Sequence, residues 1–297
     1  MRYRIRHVSS YHYSAPVSVC HNFLMLTPRE GGRVHSLSHR LVIRPTPLFS
    51  SRRTDSFGNT VHSFAIEENH RQLAVTATSH VDVAEARPPA ETMPWEAVVG
   101  GVVGQTDPEW LEACRFAFDS PRVSRAPEFA DYARASFLPE RPILDAAFDL
   151  TKRIHRDFEY DKAATSVGTP TREAFDIRKG VCQDVAHIQI SCLRSIGVPA
   201  RYVSGYLRTV SRPGQPRIVG ADQSHAWLAV YCGAGGWVEL DPTNACLSSQ
   251  DHIPIAWGRD YDDVVPVKGV VLGGGDHRLS VSVDVESEDD ASEPART

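Results

Sequence analysis

The sequence feature that most constrains the fold is a pair of strand patterns joined by a glycine-rich turn, residues 225–242 (HAWLAVYCGAGGWVELDP). A three-residue loop at the Gly-Ala-Gly turn sets Val230 opposite Val238. The same register sets Leu228 opposite Leu240, which gives the hairpin one uniformly apolar face. A loop one residue longer breaks this apolar match. The segment therefore predicts an antiparallel hairpin in a single register.

The second face of this hairpin carries a polar pair, His225 and Asp241. In the predicted register the two residues are diagonal neighbours, roughly 7–8 Å apart, and leaning side chains can form a hydrogen bond. A shift of one residue would place them on opposite faces. The apolar pattern and the polar pair therefore select the same hairpin, and Asp241 becomes a candidate to orient the His225 imidazole.

A reactive cysteine is predicted at Cys182, where a helical pattern begins. Gly180 breaks the preceding segment, and apolar residues then recur at helical spacing until Gly197 and Pro199 end the pattern. At a helix N-terminus, unpaired backbone N–H groups and the helix dipole favour a thiolate and could also stabilise an oxyanion. A small buried cysteine is the alternative that this position alone leaves open.

Among the histidines, His225 is the best candidate to partner this thiolate. His187 follows Cys182 by five positions, so it lies about 140° around the helix and on a different face. We interpret it as a helix-surface or satisfied core histidine, and we interpret His155 and His252 in the same way. An imidazole beside a thiolate can pair with it and later protonate a leaving group. The three candidates together therefore suggest nucleophilic catalysis.

The remaining patterns predict an α+β protein. Residues 1–85 are β-rich, and residues 86–150 combine a connection with helical segments. Residues 151–285 carry the helical pattern at Cys182 and the hairpin and are expected to form the main core, followed by a disordered acidic tail over residues 286–297. The clearest strand patterns cover residues 2–8, 39–44, 60–66 and 73–83, and helical patterns begin at 107–108 and cover 139–158.

These segments resemble the bacterial transglutaminase-like proteins, relatives of papain-type cysteine proteases that use a Cys-His-Asp triad. The resemblance rests on residues 180–207 (GVCQDVAHIQISCLRSIGVPARYVSGYL), 223–231 (QSHAWLAVY) and 237–244 (WVELDPTN). Residues 1–17 and 258–275 are similar to the first and closing segments of this subfamily. The resemblance implies a core with the nucleophile on a helix N-terminus packed on an antiparallel sheet, preceded by a β-rich domain.

The resemblance assigns the nucleophile to Cys182, the general acid and base to His225 and the orienting carboxylate to Asp241. It also makes Tyr160 an aromatic residue that can help to hold the oxyanion, although a tyrosine at the end of a core helix is an equal alternative. Asp184 is interpreted as a first-turn acid without a catalytic role. The implied reaction is acyl transfer on a peptide or protein amide through a thioester. Hydrolysis is favoured over amine transfer, and a non-enzymatic peptide-binding scaffold is the third hypothesis.

The charge, the hydropathy pattern and the cysteines of the sequence indicate which partners and which cellular location to expect. The 297 residues carry a formal net charge of −5 without a basic stripe, so nucleic acid is not expected as a partner. Neither a signal peptide nor a membrane span is predicted, which indicates a cytoplasmic protein without a membrane partner. The six cysteines form no zinc or disulfide pattern, and no EF-hand loop is present. Because the resemblance also includes no metal requirement, no cofactor or metal is expected and activity should resist chelators. The loops 161–173 and 210–223 are expected to surround the substrate, which stays unidentified.

Overall fold

The computed structural model describes residues 1–209 and 223–288. The strands are β1 (Arg2–Leu24), β2 (Val34–Arg44), β3 (Phe49–Thr54), β4 (Thr60–Ile66), β5 (His70–Val83), β6 (Glu159–Tyr160), β7 (Lys179–Gly180), β8 (Ala200–Leu207), β9 (Gln223–Tyr231), β10 (Trp237–Asp241), β11 (Cys246–Leu247), β12 (His252–Gly258), β13 (Val267–Gly273) and β14 (His277–Ser287). The helices are α1 (Trp95–Gly104), α2 (Pro108–Cys114), α3 (Pro127–Arg134), α4 (Ile143–Asp157), α5 (Thr171–Ile177) and α6 (Cys182–Ser195). No helix within these described ranges is long and apolar enough to cross a membrane.

The long first strand organises an antiparallel sheet that confirms the β-rich N-terminal region. The first half of β1 lies between β5 and β14, and its second half lies between β4 and β13. Strands β2 and β3 pair with β5 and β4 at the outside of the sheet. Tyr3 and Ile5 are buried while Arg2, Arg4 and Arg6 are exposed, which is the period of two expected for a half-buried strand.

The closing strands return to this N-terminal sheet. In β14, Ser287 pairs with Tyr3, and Val285 is fully buried. The disordered tail expected from Glu286 onward is therefore wrong for its first two residues, because strand pairing and the buried valine beside them hold the segment in place. The rest of that tail, from residue 289, lies outside the described residues.

The segment before the core contains a helix that the sequence did not indicate. Helix α2 begins after Asp107, as the Asp-Pro signal predicts. Helix α1, in contrast, lies in a Gly- and Val-rich run that was expected to be a plain connection. Val98 is fully buried, and Gly101 packs so closely on Trp110 that an added Cβ would lie 2.5 Å from the indole. Tertiary packing therefore outweighs the weak helix propensity of this run.

The core places α6 against a five-stranded antiparallel sheet of order β11-β10-β9-β8-β12. Helix α6 is buried along almost its whole length, and Ile188 and Leu193 are fully buried. These side chains share one hydrophobic cluster with Leu228 and Val230 of β9 and with Leu240 of β10. The arrangement confirms the α+β core with a helix packed on an antiparallel sheet.

The hairpin of β9 and β10 has the predicted register. Val230 lies opposite Val238 and Leu228 lies opposite Leu240. A short 3-10 turn, Gly233–Gly235, connects the strands, and Gly233 and Gly236 have positive φ angles of 65° and 67°. His225 and Asp241 consequently project from the same face of the sheet.

Candidate active site

The start of α6 is held by a buried carboxylate. Cys182 is the first residue of the helix and is half-buried. The Asp184 carboxylate accepts hydrogen bonds from the backbone N–H of Val181 (2.8 Å) and from the Thr165 hydroxyl (2.7 Å). An added Cβ at Gly180 would lie 2.6 Å from Asp184 Oδ2, so a larger residue would displace the carboxylate. Asp184 therefore fixes the backbone on which Cys182 is mounted.

Tyr160 lies beside this helix start. The two-residue strands β6 and β7 are parallel and pair Tyr160 with Gly180, two positions before Cys182. The backbone N–H of Asp161 also donates to the carbonyl of Gly180 (2.9 Å). Tyr160 is 47% exposed, and partial burial and the neighbouring Cys182 thiol raise its pKa. A phenolic O–H is thus available near the thiol, and its role toward an oxyanion stays a proposal.

His225 and Asp241 form a buried hydrogen-bonded pair. The His225 Nε2 atom lies 2.8 Å from Asp241 Oδ2, and both side chains are buried. Because Nε2 is engaged by Asp241, the second ring nitrogen, Nδ1, is the one that is left for the Cys182 thiol, which interacts with the same ring. The structure therefore brings Cys182, His225 and Asp241 together in the order that the sequence predicts.

Electrostatics in this group favour a charged imidazole. Burial lowers the pKa of His225, but the hydrogen bond with Asp241 and the interaction with Cys182 outweigh it and raise the pKa to about 10. Burial likewise disfavours the Asp241 carboxylate, yet donors from His225, His252 and Asn244 hold its pKa far below its ordinary value. The raised pKa of His225 favours the charged form of the imidazole, and a positive imidazole is the kind of neighbour that activates a cysteine nucleophile.

His252 is a site residue that the sequence interpretation missed. It is a buried core histidine as expected, but its Nε2 atom lies 3.1 Å from Asp241 Oδ2. The backbone N–H of Ser249 points at His252 Nδ1 (3.1 Å). A backbone N–H can only donate, so Nδ1 carries no proton and Nε2 donates to Asp241. No local pattern shows this contact, because β12 and β10 are separated in the sheet by β8 and β9.

The Asp241 carboxylate is saturated with donors. Its Oδ2 atom accepts from His225, His252 and the side-chain amide of Asn244 (2.6 Å). Its Oδ1 atom accepts from the backbone N–H groups of Thr243 (2.9 Å) and Asn244 (3.2 Å). These five hydrogen bonds fix both the charge and the orientation of Asp241.

The two histidines and Asp241 are also residue types that bind metal ions. Their ligand atoms lie within 4.8 Å of one another, the one such group among the described residues that could hold an ion. Each of these atoms is already engaged in a hydrogen bond within the group. That the activity does not require a metal ion stays a prediction.

Trp227 packs against both histidines. Its ring is stacked on His225 at a centroid distance of 5.9 Å and meets His252 edge-on at 5.4 Å. Its Nε1–H donates to Glu239 Oε2 (3.1 Å). Trp227 is fully buried, so it restrains the positions of both imidazole rings.

The remaining candidate histidines lie outside the Cys182–His225–Asp241 group. His187 is buried, packs at a tilt against the Tyr202 ring and accepts a hydrogen bond from the backbone N–H of Tyr261 (3.2 Å), which confirms a satisfied core histidine. His155 donates to the carbonyl of Thr243 (2.9 Å). Of the two loops expected around the substrate, one contacts the helix start through Thr165. Residues 210–222 of the other lie outside the described residues.

Two family models match the chain. Residues 3–82 match the bacterial transglutaminase-like N-terminal region, and residues 130–242 match the transglutaminase-like superfamily. The first match coincides with the strands of the N-terminal sheet that precede α1, and the second contains Cys182, His225 and Asp241.

Individual relatives agree with these matches. An uncharacterized protein of Mycobacterium tuberculosis is 39% identical over 295 residues, covering 96% of this chain and 92% of that protein. A protein-glutamine gamma-glutamyltransferase of Pseudomonas aeruginosa is 30% identical over 149 residues, 45% of this chain and 22% of that protein. The crystal structure of a "putative cysteine protease" from Cytophaga hutchinsonii has a TM-score of 0.75 at 22% identity, covering 97% of this chain and 91% of that one. This last likeness extends over both sheets and shows a shared fold.

Proposed function

The chain belongs to the transglutaminase-like superfamily, and from this premise we propose that it is a cysteine-dependent hydrolase that cleaves an amide bond in a peptide or protein. The observation that carries the proposal is the continuous set of contacts from Cys182 through His225 to Asp241. A nucleophile, a base within reach and a third group that orients the base are the parts that thiol-based acyl transfer needs.

In the first step, the Cys182 thiolate adds to the amide carbonyl carbon, and a C–S bond forms as the carbonyl π electrons move to oxygen. The oxyanion is stabilised by the backbone N–H groups at the start of α6 that precede those of Asp184 and Val185, which already donate to the carbonyl of Val181, and by the Tyr160 hydroxyl. The His225 imidazolium then gives its proton to the amide nitrogen. The C–N bond breaks, the amine leaves and a thioester remains.

In the second step, neutral His225 removes a proton from water as the water oxygen attacks the thioester carbonyl. The C–S bond breaks, and the carboxylic acid product and the Cys182 thiolate are released with His225 protonated again. Asp241 accepts the hydrogen bond of His225 in both steps and stabilises its positive charge. Cys182 is half-buried and Tyr160 is half-exposed, which supports access for water.

Amine transfer is the second candidate function. A primary amine can resolve the same thioester in place of water, and the Pseudomonas aeruginosa relative is named for that chemistry. The identity between the two proteins is restricted to 45% of this chain. We therefore place hydrolysis first and amine transfer second.

Selective alkylation tests whether the site is active. At neutral pH, limiting iodoacetamide followed by mass spectrometry should modify Cys182 before the two other half-buried cysteines, Cys114 and Cys246. Burial and then Asp241 raise the pKa of Cys246 to about 11, which makes it an internal control of low reactivity. Equal or slower modification of Cys182 would contradict the proposal and favour the peptide-binding scaffold.

A partition experiment separates the two enzymatic functions. The protein is incubated with a glutamine-containing peptide library and a dansylated primary amine, and mass spectrometry follows both products. We expect peptide cleavage or side-chain deamidation without incorporation of the amine. Incorporation that exceeds hydrolysis would establish amine transfer, and the Cys182→Ala variant should give neither product.

A further inference from the structure

A cavity of about 260 Å³ lies where the N-terminal sheet region meets the core, and Cys182 does not line it. Its walls come from the loop after β1, from the segment after β5 and from the core sheet. Among its charged lining residues, four arginines face two glutamates: Arg29, Arg33, Arg87, Arg201, Glu85 and Glu239. The cavity is therefore lined with an excess of positive charge.

Arg201 is the most unusual member of this group. It is 5% exposed, and its buried Nε atom has no hydrogen-bond partner among the described residues. Its guanidinium carbon lies 4.3 Å from the ring centre of Trp237 and 3.6 Å from that of Trp257. Stacking on indoles stabilises the cation but uses none of its N–H donors. A buried guanidinium with unused donors is costly unless an acceptor reaches it.

The acids near Arg201 do not supply that acceptor. Arg201 on β8 and Glu239 on β10 lie on opposite sides of Ala229 in β9. The two residues are therefore two strands apart. Its Oε2 atom already accepts from Arg33 (3.0 Å) and from Trp227. Burial lowers the pKa of Arg201 to about 9, and Glu239 and Glu112 oppose this only through charge attraction without a hydrogen bond, so the group stays charged at neutral pH.

A second arginine in the cavity, Arg29, also has a buried donor without an acceptor in the ranges that the structure describes. The guanidinium of Arg29 lies 3.3 Å from the ring centre of Trp257 and donates from Nη1 to Asn59 (2.9 Å). Its Nε atom, like that of Arg201, is buried without a partner in the described part of the chain. Two guanidinium carbons this close to one ring centre must lie on opposite faces of the Trp257 indole, and each group retains a buried Nε–H without an acceptor among the described residues.

We propose that this cavity is a binding site for a small anion with a carboxylate or phosphate group, held by Arg201 and Arg29. The forked donors of arginine match both groups. A volume of about 260 Å³ admits a small organic acid or a phosphate but not a long peptide. The site goes beyond the proposed hydrolysis and does not depend on it.

Indole fluorescence tests the site directly, because Trp237 and Trp257 form part of its wall. The wild-type protein in a buffer of low chloride is titrated with succinate in one arm and with inorganic phosphate in the other. We expect a saturable change in at least one arm, and the arm with the lower Kd identifies the preferred group. The absence of saturable binding up to tens of millimolar in both arms would overturn the proposal.

Three variants assign the binding to the cavity. Arg201→Met should weaken binding about tenfold or more, since a hydrogen bond to a charged group contributes about 1.5–3 kcal/mol. Arg87→Gln, at an exposed position of the cavity, should weaken it less and is expected to fold normally. The control Arg4→Gln, whose side chain pairs with Glu286 on the N-terminal sheet, should bind like the wild type.

The variants also give a second way to refute the site. If Arg201→Met does not fold, Arg87→Gln alone decides the assignment. Wild-type affinity in every cavity variant that folds, judged by its thermal unfolding, would place the anion elsewhere and contradict the proposal.

Discussion

Replacing Asp241 by asparagine should damage both stability and the charge state of His225. An amide has one acceptor oxygen, whereas the Asp241 carboxylate accepts five hydrogen bonds through two oxygens. If the amide oxygen takes the Oδ2 position, its NH₂ group faces the backbone N–H groups of Thr243 and Asn244. If it takes the Oδ1 position, the NH₂ group faces the three donors that pair with Oδ2, which come from His225, His252 and the Asn244 side chain. Either orientation opposes donor to donor.

The loss of folding stability in Asp241→Asn follows from the hydrogen bonds that the amide cannot accept. Each buried donor left without an acceptor costs about 1–3 kcal/mol. The second orientation leaves the two buried histidine donors unpaired and the first leaves two partly buried N–H groups, so Asp241→Asn should lose about 2–6 kcal/mol of stability, with the first orientation nearer the lower value. The same change removes the negative charge that raises the pKa of His225 from 6.5 to about 10. That difference corresponds to about 5 kcal/mol between the charged and the neutral ring, an amount that Asp241 shares with Cys182.

The sign of the pH dependence follows from the raised pKa of His225. A group with a raised folded-state pKa contributes stability that is fully present below pH 6.5 and is lost as the pH rises through about 10. Urea unfolding of the wild type should therefore show falling stability over this range. Asp241→Asn should show a smaller dependence, and its rate of Cys182 alkylation should increase with pH as for an ordinary thiol.

The control for Asp241→Asn is the same substitution at an exposed carboxylate. Asp119→Asn changes an exposed carboxylate that pairs with Arg125, so it should keep the unfolding midpoint and the alkylation profile of the wild type. If Asp241→Asn has the same midpoint and the same alkylation profile as the wild type, the assigned role of Asp241 is wrong.

Three further predictions concern the same site. Gly180→Ala should displace the Asp184 carboxylate, lower the free energy of unfolding by about 1–3 kcal/mol and slow alkylation of Cys182, whereas unchanged values would show that the helix start does not depend on this contact. His252→Phe keeps a ring on Trp227 but removes a donor to Asp241, so urea unfolding should show a loss of about 1.5–3 kcal/mol, and a loss no larger than that of a surface variant would contradict the bond. Peptide hydrolysis should be unchanged by EDTA, and a loss that a divalent ion restores would contradict the metal-independent mechanism.

Much of the site could be predicted because its signals are local. The register of β9 and β10 follows from a period of two and a short turn, and it fixes His225 relative to Asp241. The position of Cys182 follows from a glycine before a helical pattern. These features depend on residues that are close in sequence, so the sequence is sufficient for them.

The remainder depends on contacts between distant segments. The bond from His252 to Asp241 joins strands that are not neighbours in the sheet, and Arg201 meets Trp257 only after β8 and β12 have paired. Helix α1 is likewise stabilised by packing rather than by its own composition. The pairing of β14 with β1 links residues more than 250 positions apart, which no periodicity records.

The pairing of β14 with β1 has a consequence for synthesis on the ribosome. Strand β1 is made first, whereas β14 is made after the core that contains Cys182, His225 and Asp241. During that interval the first half of β1 can pair with β5 on one side but has no partner on the other. An open strand edge can pair with another chain. Translation that stops after Asp241 and before β14 would therefore leave a nascent chain whose β1 edge is open and prone to aggregation.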